Sequence, residues 1–287
     1  MVFSNAPELG APNLSVSIVT FRPKLSLLSM TLESLVRAVR YAVAQQGQLA
    51  VSLWIVDNTP VEEAASFAIG KTVLGAVERC NEISVEFIQG HGNVGYGRGH
   101  NLALSKSSAE YHLVLNPDVE LAEDSLREGL RYMAENRAVG VLAPLALDPS
   151  GEPVFLCKRY PAVVDLFLRG FAPQWLSDAF RARLHRYELR DIVRCGAPVE
   201  VPIASGCFML CRTTLLNFLG GFSPTFFLYF EDFDLSLRAG RVAKVAYVPA
   251  VRIVHHGGQA AGKGMRHIRL FCHSALKFYR AHGWKIV

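Results

Sequence analysis

Through the first 120 residues, short apolar runs of β-forming residues alternate with longer stretches of helical periodicity, and this alternation leaves the chain few folds. Leu14 to Phe21, LSVSIVTF, reads as a strand, too short for a helix and rich in β-branched residues. After Pro23, residues Leu28, Leu32, Leu35, Val36 and Val39 share one face of a helix from Leu25 to Ala44. Val51 to Val56 is a second strand, Ile83 to Ile88 a third beyond another helical region, and Tyr111 to Leu115 a fourth. The pattern predicts an α/β chain on a mainly parallel, doubly wound sheet flanked by helices. Such sheets bind ligands outside the carboxyl ends of their strands, so the residues ending each strand carry the functional information.

The second strand ends in Asp57-Asn58, which can hydrogen-bond a base or ribose or close an Asx turn. The fourth ends in Asn116-Pro117-Asp118-Val119-Glu120. Pro117 has no N–H for the ladder, so the strand stops there and Asp118 is presented at its end. After the third strand comes Gly90-His91-Gly92-Asn93-Val94-Gly95-Tyr96-Gly97-Arg98-Gly99-His100-Asn101, leading into helical Leu102-Ala103-Leu104. Glycines at 95, 97 and 99 allow close backbone approach to a ligand, and Arg98 and His100 favour an anionic one. The spacing is neither a Walker A motif nor a dinucleotide fingerprint, and a plain flexible loop is the alternative.

Further on, Phe230-Glu231-Asp232-Phe233-Asp234 sets three carboxylates within four residues, among aromatics and aliphatics. Apolar surroundings make clustered charge costly, which favours a working role as base, metal ligand or substrate anchor. Acidic residues also favour a helix N-terminus, and the two readings are compatible because a helix start holds a carboxylate rigidly.

Taken in order, Thr20, Asp57-Asn58, the Asn93 to Asn101 loop, Leu115 to Asp118, Ser205-Gly206-Cys207-Phe208, Gly220-Gly221-Phe222, Phe230 to Asp234 and Val254-His255-His256 resemble the inverting family 2 glycosyltransferases of GT-A fold. The rhamnosyltransferase-like branch that builds bacterial surface polysaccharides is the most similar. The resemblance implies a single GT-A domain over residues 1–287: a nucleotide-sugar half (14–120), an acceptor and catalytic half (121–264) and a basic C-terminal helix (265–287). It implies that Thr20 and Asp57 hold the nucleoside, with Asn93, Gly95, Gly97, Asn101 and Asn116 also on the nucleotide sugar. Asp118 matches the metal-binding Asp of the family's Asp-x-Asp motif, and Asn116 replaces its first Asp. Asp232 matches the catalytic base, with Glu231 beside it, and His255 completes a site for Mg²⁺ or Mn²⁺. Gly206, Asp234 and His256 fall on the acceptor side or behind the reacting groups. The donor the branch implies is dTDP-rhamnose, and the acceptor a saccharide or lipid-linked saccharide.

Inverting transfer is one displacement at an anomeric carbon and needs no covalent nucleophile, so the lack of a serine or cysteine triad signature is consistent. A catalytically impaired nucleotide-sugar-binding protein, suggested by Asn116, and a nucleotidyltransferase are the alternatives. The latter lacks its usual Gly-rich signature, since Thr20-Phe21-Arg22-Pro23 follows the first strand.

Composition fits a large α/β core: 51 % of residues are hydrophobic and 19 % charged, which excludes disorder. No run of about 18 apolar residues appears and the N-terminus has no secretory pattern, so a cytoplasmic protein is expected. Six scattered cysteines read as reduced thiols. Basic residues alternate with Leu, Phe and Trp over 158–194 and again over 266–285. Such helices either lie on an anionic membrane surface, peripheral to the inner face of the cell membrane, or are solvated faces packed on the sheet. No nucleic-acid-binding motif accompanies the charge. Gly257 to Gly264 reads as a mobile loop able to close over the donor, with Lys263 or Arg266 on its diphosphate, or as a linker.

Overall fold

The computed structural model describes residues 14–194, 196–257 and 264–287. Cys195 and 258–263, which include Lys263 and most of the expected lid, lie outside the described residues.

The four N-terminal strands are β1 (Leu14–Thr20), β2 (Val51–Asp57), β3 (Ile83–Ile88) and β4 (Tyr111–Leu115). They pair in parallel in the order β3-β2-β1-β4. Every residue of β1 is buried, as expected for a parallel strand covered on both faces. On one face lie α1 (Leu25–Gln46), α2 (Ala64–Val77) and α4 (Ser125–Glu135). Gly47 ends α1 at φ 94°, its N–H donating to Val43 O. The other face carries α3 (Tyr96–Leu104), α9 (Thr213–Leu219) and α10 (Glu231–Ala239).

Beyond β4 the sheet changes sense. β5 (Val119–Leu121), β6 (Val139–Leu147), β9 (Phe208–Arg212) and β10 (Lys244–His255) complete the order β4-β9-β6-β10-β5. β7 (Pro153–Val154) and β8 (Val199–Glu200) pair with β6 and β10. β9 runs antiparallel to both neighbours, β4 and β6. An antiparallel strand starts where its neighbour ends, so the segment before β9 sits against the carboxyl end of β4, and Asn116 N donates to Cys207 O at 2.9 Å. β10 is parallel to β6 and antiparallel to β5, and sets His255 opposite Val119, one residue past Asp118.

Between β7 and β8 lie α5 (Val163–Gly170), α6 (Gln174–Ala179), α7 (Arg181–Tyr187) and α8 (Arg190–Arg194); α11 (Met265–His282) ends the fold. The basic character expected of 158–194 is largely spent inside the segment. Lys158, Arg169 and Arg190 converge on Glu188, Arg183 pairs with Asp165 and Arg181 with Asp178. The sequence interleaves these acids with the arginines, so the region is not a free cationic face.

Candidate active site

Asp232, in the first turn of α10, accepts hydrogen bonds from two backbone N–H groups: Gly206 to Oδ2 and Phe233 to Oδ1, both at 2.9 Å. Gly206 belongs to the segment that the antiparallel β9 carries to the end of β4. A side chain there would press on the Tyr96 ring and the Asp232 Cβ, at 3.2 and 3.3 Å.

The turn entering α10 is strained. Tyr229 and Phe230 take φ of 71° and 67°, a left-handed conformation that costs residues with a Cβ about 1–2 kcal/mol each. Packing holds them there. Phe230 lies in an aromatic cluster with Phe271 and Phe278 of α11, at 5.1 and 5.2 Å between ring centroids. Tyr229 Oη is 2.8 Å from His267 Nδ1, and Ser274 Oγ donates to Leu228 O at 2.8 Å. The double left-handed turn aims the carboxylates that follow, and no residue type in the sequence announced it.

Burial raises the pKa of both Glu231 and Asp232, and the Asp232 charge adds to the effect on Glu231, which is pushed up to about 8. Glu231 Oε2 is buried without a hydrogen-bond partner. At neutral pH the pair therefore keeps a proton on Glu231, and Asp232, held by backbone donors, is the carboxylate. Its own raised pKa brings it closer to the range that suits a base.

Tyr96 joins this pair to the end of β4. Its Oη lies 2.6 Å from Gly206 O and 2.9 Å from the Asn116 side-chain oxygen. One phenol proton serves one acceptor. With Gly206 O taking it, the Asn116 amide turned over donates to the phenol oxygen. Burial, and after it the neighbouring Asp232 and Asp118 carboxylates, keep the phenol protonated. The sequence reading passed Tyr96 by as one letter of a glycine-rich loop; an aromatic hydroxyl amid glycines was the available signal.

Asp118 meets His255, Oδ1 to Nε2, at 3.5 Å. Gly257 passes so close that a Cβ there would lie 2.0 Å from Asp118 Oδ2. Two donors on an octahedral cation with bonds of 2.0–2.1 Å are roughly 3 Å apart when adjacent, so the pair fits two positions of a divalent site. Among the described residues no group of three His, Cys, Asp or Glu could close around a metal. The remaining ligands would have to be diphosphate oxygens and water, which is how such cations are usually held. His256 turns elsewhere, its Nε2 3.4 Å from Glu120.

Several expected ligand residues have other work. The helix α3 begins at Tyr96, so Gly97 and Gly99 lie inside it. A Cβ on Gly95 would meet Phe227 O at 2.3 Å, one on Gly97 the Phe222 Cβ at 2.8 Å, and one on Gly99 the Val19 methyls at 2.9 Å. On their Cβ side these glycines are filled by protein. Arg98 donates to Pro224 O at 3.0 Å, and His100 is buried, its imidazole held well below the usual range by that burial. It belongs to an interior network in which Ser17 Oγ lies 2.6 Å from His100 Nδ1 and 2.8 Å from His112 Nε2. Asn101 clamps Phe222, donating to its O at 2.7 Å and accepting from its N at 2.8 Å. Asn93 is exposed and closes an Asx turn on Gly95 N. Asp57 is fully buried and accepts from Thr20 Oγ1, Thr59 N and Ser66 Oγ, so Thr20 and Asp57 brace the ends of β1 and β2. Asp234 is bound to Arg238 and to His282 of α11, each at 2.8 Å.

The family model described as glycosyl transferase family 2 matches residues 15–216. The chain belongs to glycosyl transferase family 2. Within this glycosyltransferase family, it is 25 % identical over 186 residues to an N-acetylglucosaminyl-diphospho-decaprenol L-rhamnosyltransferase of Mycobacterium tuberculosis, covering 60 % of this chain and 58 % of that protein. It is 24 % identical over 181 residues to the rhamnosyltransferase WbbL of Escherichia coli, covering 60 % and 64 %. The matched span is thus under two thirds of either relative. Among solved structures, the mannosyltransferase PcManGT of Pyrobaculum calidifontis, in complex with GDP-Man and Mn²⁺, superposes with a TM-score of 0.56 at 16 % identity, over 87 % of this chain and 58 % of that one. GalNAc-T7 with UDP, GalNAc and Mn²⁺ gives 0.60 at 15 %, over 91 % and 48 %. The family 2 chain therefore has the GT-A fold of these glycosyltransferases.

Proposed function

We propose that the protein is an inverting glycosyltransferase that moves a sugar from a nucleoside-diphosphate donor to a saccharide or lipid-linked saccharide acceptor in surface polysaccharide synthesis. The observation carrying this reading is the lodging of Asp232 on the Gly206 N–H, beside the Tyr96 bridge to the Asn116–Asp118 strand end. Asp232 removes the acceptor hydroxyl proton as that oxygen attacks the anomeric carbon. The bond to the diphosphate breaks on the opposite face, and configuration inverts. Asp118 and His255 would hold Mg²⁺ or Mn²⁺, with the imidazole favouring Mn²⁺; when bound, the cation neutralises charge on the departing diphosphate. Neutral Glu231 avoids a second negative charge beside the base.

The nucleoside end is assigned to the tips of β1 and β2, where Thr20 and Asp57 shape the backbone and Asn58 holds Gly95 O at 3.2 Å. The donor assigned is dTDP-rhamnose, on the strength of the two L-rhamnosyl- and rhamnosyltransferase relatives. One catalytic domain is assigned, with a donor half at 14–120, an acceptor half at 121–264 and α11 as its brace. A cytoplasmic site of action, beside the inner face of the cell membrane, follows from a lipid-linked acceptor. No helix among the described residues is long and apolar enough to cross a membrane.

A thermal-shift panel of nucleotide sugars with Mg²⁺ and Mn²⁺ tests the donor, because a ligand bound to the native state stabilises it in proportion to ln(1 + [L]/Kd). Release of nucleoside diphosphate on adding acceptor supports transfer. Release of pyrophosphate would make the protein a nucleotidyltransferase, and donor binding with no turnover on any acceptor an impaired binder.

A further inference from the structure

We propose that α11, together with the α5–α6 corner, forms a surface that docks on an anionic lipid bilayer. The inner face of α11 is occupied: Ser274, Phe278 and Tyr279 are buried, and Phe271 packs on Phe230. At about 100° per residue, Met265, Ile268, Cys272 and Leu276 fall within one sector about 80° wide that borders this face and runs into buried Tyr279 in the last turn. All four are exposed, Met265 by 73 %. A helix packed by one apolar face has no structural need of a second, solvent-facing one.

Charge selects the occupant. From Gly264 to Val287 there are Arg266, Arg269, Lys277, Arg280 and Lys285, with no Asp or Glu. Arg266, Arg269 and Arg280 are exposed and flank one side of the apolar sector. None of the three has an ion pair among the described residues, in contrast to the self-neutralised arginines of α5–α8. On the other side, Pro161, just before α5, accepts from Tyr279 Oη, and Phe171 lies 6.3 Å from Phe271 between ring centroids. That corner adds exposed Phe167, Phe171 and Trp175, the last 71 % exposed. An apolar stripe bordered by unpaired basic residues, with aromatic side chains beside it, matches a helix lying in the plane of an anionic interface. A second copy of the chain would have to bring a strongly acidic face to the same stripe.

The inner face of this helix holds the strained Tyr229–Phe230 turn, so docking sets the catalytic carboxylates at a fixed height above the lipid. This deepens the proposed acceptor class by placing the base within reach of a headgroup-borne sugar. The surface itself is independent of the donor reading, and its test reads binding without transfer.

The test uses the whole chain and vesicles of phosphatidylcholine with and without phosphatidylglycerol. The expected result is co-sedimentation with the anionic vesicles only, weakening as salt rises. Trp175 should give a blue-shifted emission on binding that is lost in Trp175→Phe. Replacing Arg266, Arg269 and Arg280 together by Gln should weaken partitioning about a hundredfold, at roughly 1 kcal/mol per basic residue. Ile268→Ser should also weaken it, and these exposed changes should leave the melting temperature in place. The salt titration of the unaltered chain stands without any variant. Equal binding to neutral and anionic vesicles, or none to either, overturns the proposal. So does a dimer in sedimentation velocity that Ile268→Ser dissociates, which would assign the stripe to self-association.

Discussion

The backbone N–H of Gly206 donates to Asp232 Oδ2 at 2.9 Å, tying the segment that precedes β9 to the first turn of α10. The bond fixes where the carboxylate stands relative to the strand end that carries Asn116 and Asp118. It also removes one lone pair from solvent while leaving the group ionised, which is what a positioned base requires.

Asp232→Asn should lower turnover by about 10² to 10⁴ while nucleotide-sugar binding, read by calorimetry, is kept. Both carboxylate oxygens accept backbone N–H groups, so the amide must turn its NH₂ toward one of them. A stability loss of about 1–3 kcal/mol is expected alongside. Near-normal turnover would transfer the role to another group.

Glu231→Gln should change turnover little at pH 7, because the native carboxyl is already protonated with its pKa pushed up to about 8. The sign follows from linkage. A folded-state pKa above the unfolded value gives stability that is full below about 4.5, the ordinary carboxyl value, and is lost as pH rises to about 8. The variant should therefore gain on the wild type across that window in melting temperature. Parallel melting curves from pH 5 to about 8.5 would contradict the burial argument.

Chelation by EDTA should abolish transfer, with Mn²⁺ restoring it more effectively than Mg²⁺. Asp118→Ala should abolish the metal-dependent part of nucleoside-diphosphate affinity and His255→Gln reduce it. Full activity in EDTA would assign charge neutralisation to basic side chains instead.

Tyr96→Phe removes the hydroxyl that reaches both Gly206 O and Asn116. A loss of about 1–3 kcal/mol in stability is expected from the unpaired Gly206 carbonyl and Asn116 amide, together with reduced turnover at unchanged donor affinity. Unchanged kinetics would make the bridge purely structural.

Gly95→Ala and Gly92→Ala separate packing from phosphate binding. At Gly95 the backbone has φ 91° and the new methyl would meet Phe227 O at 2.3 Å, so at least about 3 kcal/mol should be lost. At Gly92 nothing lies within 4 Å and only the φ of 67° is strained, so about 1 kcal/mol is expected. Loss of nucleotide affinity in a still-folded Gly92→Ala protein would restore the loop to the ligand.

The four N-terminal strands were legible because each is a short run rich in β-formers, continuous and buried in β1 and β4 and half-exposed only at the edge strand β3, and β3 and β4 begin and end where the pattern places them. The carboxylate cluster around Asp232 stood out because clustered charge among apolar residues is costly, whereas the pairing of Asp118 with His255 was implied only by the resemblance to family 2 motifs. The start of α3 was not. Gly97 and Gly99 depress helix propensity, and only their contacts with Phe222 and Val19 show why they sit in a helix. The same contacts explain why Arg98, His100 and Asn101 looked like ligand residues: they face neighbours more than 80 residues distant in sequence. The reversed direction of β9 is likewise a pairing choice with no local code. The basic run of 158–194 misled through counting arginines without Asp165, Asp178 and Glu188 among them.

The place of β10 in the sheet has a consequence for how the protein is made. β6 and β5 are synthesised long before β10, yet they are joined only through it, and until residue 255 emerges each presents an open edge. A nascent chain can complete the parallel β3-β2-β1-β4 unit early from pairings of short range. The second half must wait for one late strand inserted between two older ones, a slow, long-range closure. Asp118 meets His255 only at that closure, so ribosome-bound chains stalled before it would carry a finished N-terminal parallel sheet and no Asp118–His255 contact.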